Sequence, residues 1–291
     1  MENKTEEFNI RVGYISDATL KLAETELRET PEIREAAIKE LRKLLHASPD
    51  LNYRDDDEFL VVFLRACHFY PESALKKMKS IASFRKDYAH LVRGLQLEPF
   101  KEKFMHGNTI NVLKNCDQLG RRVMLINSGG AWDPAFVSSD ETFQLLYGAH
   151  LVAQLEPESQ VRGVVCILDF EGLSFKQLKA LTPNYLLRLL SFIQDAFPLR
   201  LKEVHVVKQP YIFKALWSLA KPMIQEKLRN RINFHGDDMK SLHKFIEPDY
   251  LPRDFGGYLP TIDYGGKEWY EAVEIHKDYI GEWAELGPAK W

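Results

Sequence analysis

Residues 163–170 read GVVCILDF, a run of successive apolar residues closed by Asp169 and Phe170. A strand with apolar side chains at odd and even positions offers no face to water, so it has to lie between two layers. The segments around it supply those layers. TINVLKN (109–115) and RRVMLINS (121–128) alternate like strands and are joined by Asp117-Gln118-Leu119-Gly120, a hairpin-like turn. KEVHVVK (202–208) and INFH (232–235) read as further strands. Between them, residues 139–156 carry Phe143, Leu146, Tyr147 and His150 at helical spacing. Thr182-Pro183 caps a helix bearing Leu186, Leu189, Leu190 and Ile193. Strands alternating with helices predict an α/β fold, a mixed sheet flanked by helices.

The first ninety or so residues carry a different pattern. Ser16 and Asp17 cap a helix running to about Glu29, and Thr30-Pro31 starts another with Ile33, Ala37, Leu41, Leu44 and Leu45 on one side. Asp55, Asp56, Asp57 and Glu58 open a third, where their charge suits the positive end of the helix dipole. Pro71 opens a fourth with Ala74, Leu75, Met78, Ile81 and Ala82 on one face. The expected organisation is a small all-α bundle (15–95), an α/β domain (100–265) and a helical tail with a ragged end (266–291).

No dinucleotide fingerprint, phosphate loop, nucleophile elbow or HExxH zinc motif is present. The Gly pairs 129–130, 256–257 and 265–266 read as turns. Cys67, Cys116 and Cys166 are odd in number, widely spaced and set in or beside apolar runs, which predicts buried thiols rather than a disulfide framework. The N-terminal MENKTEEFNI has no apolar core of a signal peptide, so a cytoplasmic location is expected. Asp169 and Glu171 end a buried strand, where α/β enzymes place functional groups, which suits an acid–base pair or metal ligands; the plainer reading is that they cap the turn that follows. His150, in an otherwise apolar helix, is either a satisfied core histidine or a polar handle inside a cavity.

Residues 210–231, PYIFKALWSLAKPMIQEKLRNR, are harder to read as a surface helix. Ile212, Ala215, Leu216 and Leu219 form one apolar stripe, and Phe213, Trp217 and Ile224 a second. A surface helix needs one. Two stripes suit either a helix buried between layers or a lid with a cavity beneath it and a membrane above. Charge separates the two. The chain carries 39 Lys and Arg against 42 Asp and Glu, yet residues 200–231 hold eight basic residues and two acidic ones. Residues 1–60 hold nine basic and fifteen acidic, and residues 263–285 two basic and seven acidic. A basic cluster flanking an apolar helix has the composition of a membrane-surface contact. No nucleic-acid motif accompanies it.

Several stretches, in order, resemble the CRAL-TRIO lipid-transfer family, in its α-tocopherol-transfer and clavesin-like branch. They are FLVVFLRACHFYPESALKKMKSIASFR, WDP (132–134), ILDFEG (167–172), SFIQDAFPLRLKEVHVV, IFKALWSLAKPMIQEKLRNRINFHG and LPRDFGGYLP, spread over about residues 30–265. The resemblance implies a helical bundle followed by a lipid-binding domain whose mobile gate, about residues 210–221, covers a cavity for one hydrophobic molecule. It implies a carrier rather than an enzyme, with no cofactor or metal beyond the bound ligand. The family's phosphoinositide contacts fall on Arg200, Lys202, Lys227 and Arg231; a further basic position, just after FLRA, is Cys67 here. The outward apolar side of the gate falls on Ile212, Phe213, Leu216 and Leu219. The cavity wall falls on Phe143, Leu146, Val164, Leu168, Leu181, Phe192, Ile193 and Leu199, with polar positions at Asn127 and His150.

The expected function is therefore an intracellular, monomeric lipid-transfer protein for a tocopherol-like, retinoid, carotenoid or similar molecule. It would exchange that ligand at anionic, phosphoinositide-containing membranes as a peripheral binder. The alternatives are a lipid-sensing trafficking adaptor and an α/β enzyme using Asp169 and Glu171.

Overall fold

The computed structural model describes Phe8 and residues 10–262 and 267–291, the side chains of 267 and 268 excepted. The Gly265–Gly266 pair lies outside the described residues.

Four helices form the N-terminal bundle: α1 (Asp17–Leu27), α2 (Pro31–His46), α3 (Asp57–Ala66) and α4 (Pro71–Asp87). Their starts follow from local chemistry. The side chains of Ser16, Thr30 and Asp56 accept from the amides of Thr19, Ile33 and Phe59, and Pro31 and Pro71 occupy first-turn positions. Between α2 and α3 lies a two-residue strand, β1 (Leu51–Asn52). The short helices α5 (Ala89–Val92) and α6 (Lys101–His106) lead into the second half.

That half is built on five strands: β2 (Ile110–Val112), β3 (Arg122–Asn127), β4 (Val164–Asp169), β5 (Leu201–Val207) and β6 (Ile232–Gly236). Their spatial order equals their chain order. β2 and β3 form the antiparallel hairpin, with the Gly120 amide donating to the Asp117 carbonyl at 2.9 Å; β3 to β6 are parallel. Parallel neighbours taken in chain order need crossovers of one hand, so every crossover helix falls on one side of the sheet. These are α7 (Ser139–Ala153) and α8 (Pro157–Arg162), then α9 (Phe175–Ala180) and α10 (Pro183–Ser191), then α11 (Phe213–Ala220) and α12 (Glu226–Arg229). The other side is covered by α13 (Met239–Leu242) and the chain to Phe255.

The tail departs from expectation. Two helices follow: α14 (Lys267–Ile275) sets Trp269 and Tyr270 against Phe104 of α6, and α15 (Lys277–Glu285) returns to the N-terminal bundle. Trp283 packs on Phe59 and Phe63 at 4.9 and 5.9 Å, and β7 (Gly287–Pro288) pairs antiparallel with β1. The end is tied down rather than ragged because its tryptophan and strand find partners far away in sequence. The cysteines are free, as expected, but only Cys166 is buried, its thiol pushed up to about 12 by desolvation; Cys67 and Cys116 are half-buried.

One glycine is pressed against the backbone that leads into β5. Gly163, at φ 83°, precedes β4, and a Cβ there would lie 2.4 Å from the Arg200 carbonyl oxygen. Gly163→Ala is expected to cost about 1–3 kcal/mol through the left-handed backbone and the clash. Urea unfolding reads this directly, and an unchanged midpoint would contradict it.

Candidate functional site

The two faces of the sheet are filled differently. On one face Val123, Leu125, Val165, Ile167 and Val207 are fully buried against Leu242, Ile246, Leu251 and Phe255. On the other, Val164, Cys166, Val204 and Val206 are buried too, but Met124, Ile126, Leu168 and Ile232 are only half-buried although helices roof them. Central-strand side chains under a close-packed layer lose nearly all their exposed surface. The helix-covered face is therefore incompletely filled around those four residues. Leu189, Ile193, Ile212 and Trp217 of the roof are half-buried as well.

Of the expected wall residues, Leu168 and Ile193 lie in this half-buried set. Leu146, Val164, Leu181 and Leu199 are buried in the same cluster. Phe143, His150 and Phe192 occupy a dense aromatic wedge. The Phe143–Phe192 rings are 5.7 Å apart, the His150–Phe192 rings 4.8 Å, and Phe84, Tyr147 and Phe197 complete the set. Phe192 opens a π-helical stretch, Phe192–Ala196, a widened turn of the kind that marks functional sites in helices. His150 matches neither reading cleanly. Among the described residues its Nδ1 has no hydrogen-bond partner, and burial drives its pKa down to about 3, so it is a neutral ring among aromatics.

Asn127 corrects an expectation. It pairs in register with Asp169, which pairs with Val207, and Val207 belongs to the packed face. Its Oδ1 accepts from the Gly129 amide at 2.9 Å. Asn127 therefore caps the turn after β3 from the side opposite the roofed space. Asp169 does the same after β4, accepting from the Glu171 amide at 2.8 Å. Lys208 joins Asp169 at 3.3 Å and Glu171 at 2.7 Å. Desolvation raises the Asp169 pKa, against the Glu171 amide and Lys208. The Asp169 carboxylate is held by a turn amide and a lysine, the capping role, and the Glu171 carboxylate by the same lysine.

The gate region also needs a correction of orientation. Phe213 and Leu216, expected outside, are buried; Phe213 meets Phe170 at 4.7 Å, and Trp217 meets Phe234 at 4.8 Å. Ile212 is half-buried, and the outward apolar groups are Tyr211, 82% exposed, and Leu219, 38% exposed. The reason is the helical period. In this short helix the 213, 216, 217 and 220 positions share the face toward the sheet, which puts Lys214, Ala215 and Ser218 outside.

The four basic residues converge where α1, β5 and α12 meet. Arg200 donates to the Val161 carbonyl at 2.5 Å and to Glu26 at 2.7 Å, and Lys202 donates to Glu26 at 3.1 Å. Arg231 donates to the Leu201 carbonyl, and Lys227 is exposed. Burial and then Arg200 lower the Arg231 pKa, a sign of crowded like charge. Partial burial works against ionising Glu26, but Arg200 and Lys202 hold its carboxyl below the usual range. Three neighbours were not singled out in the sequence. They are Glu26, His68, whose Nδ1 lies 2.9 Å from the Glu26 carbonyl, and Lys77, which donates to the Asp195 carbonyl at 3.2 Å. They come from α1, the α3–α4 turn and α4, and only tertiary contact brings them to the 200–231 cluster.

The CRAL/TRIO domain matches residues 106–257. The chain belongs to the CRAL-TRIO family. Clavesin-1 of Pongo abelii is 33% identical over 270 residues, covering 92% of this chain and 75% of its own length. Clavesin-2 of Homo sapiens is 33% identical over 266 residues, covering 90% and 80%. Among solved structures, that of Sfh5 aligns at 14% identity with a TM-score of 0.49, over 90% of this chain and 98% of the other. Among the described residues of this CRAL-TRIO protein, no helix is long and apolar enough to cross a membrane.

Proposed function

We propose that this CRAL-TRIO protein carries one hydrophobic molecule between the sheet and its helical roof and exchanges it at membranes bearing phosphoinositide headgroups. The observation that carries the reading is the unequal filling of the two sheet faces. The packed side leaves Val123, Leu125, Val165, Ile167 and Val207 no exposed surface, whereas on the roofed side Met124, Ile126, Leu168 and Ile232 stay half-buried beside the buried Val164, Cys166, Val204 and Val206, and all four half-buried residues are apolar. Apolar surface left partly open favours an apolar guest, at about 25 cal/mol for each Å² covered. The eight-residue α11 is flanked by Pro210 and Pro222, and Tyr211 just before it and Leu219 on it face outward. Release then takes the form of a two-state helix biased by contact with the membrane. The wall offers apolar surface and the neutral His150, which suits a tocopherol, retinoid or carotenoid better than a charged ligand.

Native mass spectrometry of the protein purified from its own source tests the cargo. An intact co-purified lipid at one per chain is the expected result, and a bound nucleotide or a metal would sink the reading. Transfer of a fluorescent tocopherol between liposomes tests the exchange. Faster transfer when the acceptor contains phosphatidylinositol bisphosphate is expected, and equal rates on plain phosphatidylcholine would remove the headgroup from the mechanism.

A further inference from the structure

The turn between α3 and α4 brings a titratable group into the basic cluster. Cys67 ends α3, and His68 and Phe69 both adopt the left-handed region, at φ 53° and 56°. Two successive left-handed residues turn the chain sharply, which is uncommon for side chains of this size. The turn brings the exposed His68 ring beside the end of α1, with Nδ1 2.9 Å from the Glu26 carbonyl. A carbonyl only accepts, so Nδ1 carries the hydrogen and Nε2 is the nitrogen that gains a proton. The carboxylate of the same Glu26 holds Arg200 and Lys202. One residue thus links the histidine to two of the four cations.

We infer that His68 belongs to the anion site, and that a phosphate cluster bound by Arg200, Lys202, Lys227 and Arg231 takes up a proton on His68 Nε2, so that binding strengthens as pH falls. The inference rests on the phosphoinositide reading given under the proposed function, with the basic cluster as the headgroup's contact. The charged groups facing His68 are Glu26 from α1, Arg200 at the start of β5 and Lys227 from α12, with Lys77 of α4 beside Lys227. Burial, Arg200 and Lys227 lower the His68 pKa, and the Glu26 carbonyl and charge oppose them. His68 is therefore neutral near pH 7 when the site is free. A polyanion that neutralises Arg200 and Lys227 removes two of the causes of the lowering and adds an acceptor for Nε2–H. The bound-state pKa then exceeds the free-state value. Affinity rises as pH falls between the two and is level outside them. The position occupied by Cys67 does not supply this charge. Its thiol is pushed up by desolvation, against Lys77 and Lys227, and stays neutral.

The test compares wild type with His68→Asn, which tolerates the left-handed backbone, and with His68→Lys, which carries a fixed charge. Binding is measured at about pH 7.5 and about pH 5.5, to phosphatidylcholine vesicles with and without phosphatidylinositol bisphosphate, and to inositol hexakisphosphate in solution. Phosphomonoesters themselves lose charge over this range, so the quantity read is the affinity ratio of wild type to His68→Asn. That ratio is expected to rise about threefold to tenfold on acidification, the upper value being a one-unit shift of one histidine. The ratio of His68→Lys to His68→Asn should be the same at both pH values. A rise in both arms, or in the soluble arm alone, supports the contact and says whether a membrane or a free anion reaches it. A flat ratio in the soluble arm overturns it. If the phosphoinositide adds nothing to vesicle binding of the wild type at either pH, the membrane reading fails, while the soluble arm still judges His68.

Discussion

Lys227→Glu combined with Arg231→Glu is expected to lower affinity for phosphatidylcholine vesicles carrying phosphatidylinositol bisphosphate by about a hundredfold or more. Each basic side chain near an anionic leaflet contributes about 1 kcal/mol, and each reversal removes one attraction and adds one repulsion. Two reversals thus amount to about 4 kcal/mol before screening, and screening at physiological salt leaves the smaller figure. Lys227 and Arg231 are the better pair to change. Arg200 is fastened to the Val161 carbonyl and Glu26, so reversing it disturbs the junction of α8, β5 and α1. Lys227 is exposed, and Arg231 is half-buried with one bond to the Leu201 carbonyl. Glu26→Gln is the control of opposite sign. It releases Arg200 and Lys202 from a carboxylate that competes with any phosphate, and vesicle binding should rise. Cosedimentation across a salt series reads both effects. Wild-type binding should weaken as salt rises, and the double reversal should be weak throughout. Equal affinity for wild type and double reversal, with equal thermal melting, would remove the basic cluster from membrane docking.

The sheet, its helices and the bundle were legible because each rests on local rules. GVVCILDF demanded burial on both faces, and β4 is the strand between β3 and β5. Ser16, Thr30 and Thr182 cap where their side chains predict. Legibility stopped where the answer depends on which face is which. β3 alternates, but nothing local says that Met124 and Ile126 meet the unfilled space while Val123 and Leu125 meet a solid layer. That is decided by a segment more than a hundred residues later, around Leu242 and Phe255. Asn127 was misplaced for the same reason. Phe213 and Leu216 were misread because a helix with two apolar stripes does not say which stripe is inside. The basic cluster was half legible. Its cations lie within one stretch of sequence and show as a local excess of charge, whereas Glu26 and His68 arrive through folding alone.

The adjacent residues Ile167 and Leu168 provide the sharpest test of the unfilled face. They are neighbours on β4 with side chains on opposite sides, Ile167 fully buried and Leu168 half-buried. Ile167→Trp forces a large ring into a close-packed layer of Val123, Val165 and Phe255, and the expected loss is about 3 kcal/mol or more, enough to threaten folding. Leu168→Trp adds the same ring to the side that has room. Its expected cost is under about 1 kcal/mol, because the added surface is covered without displacing neighbours. The functional effect runs the other way. The indole takes the space that a guest would need, so Leu168→Trp is expected to hold none of the lipid that accompanies the wild type and to show no saturable binding of a fluorescent tocopherol. Urea unfolding, native mass spectrometry and a fluorescence titration on the two variants give the comparison. If Leu168→Trp is destabilised as much as Ile167→Trp, the roofed face is packed solid and has no guest site. If it is stable and still carries the lipid one to one, the guest lies elsewhere, and β4 forms no part of its wall.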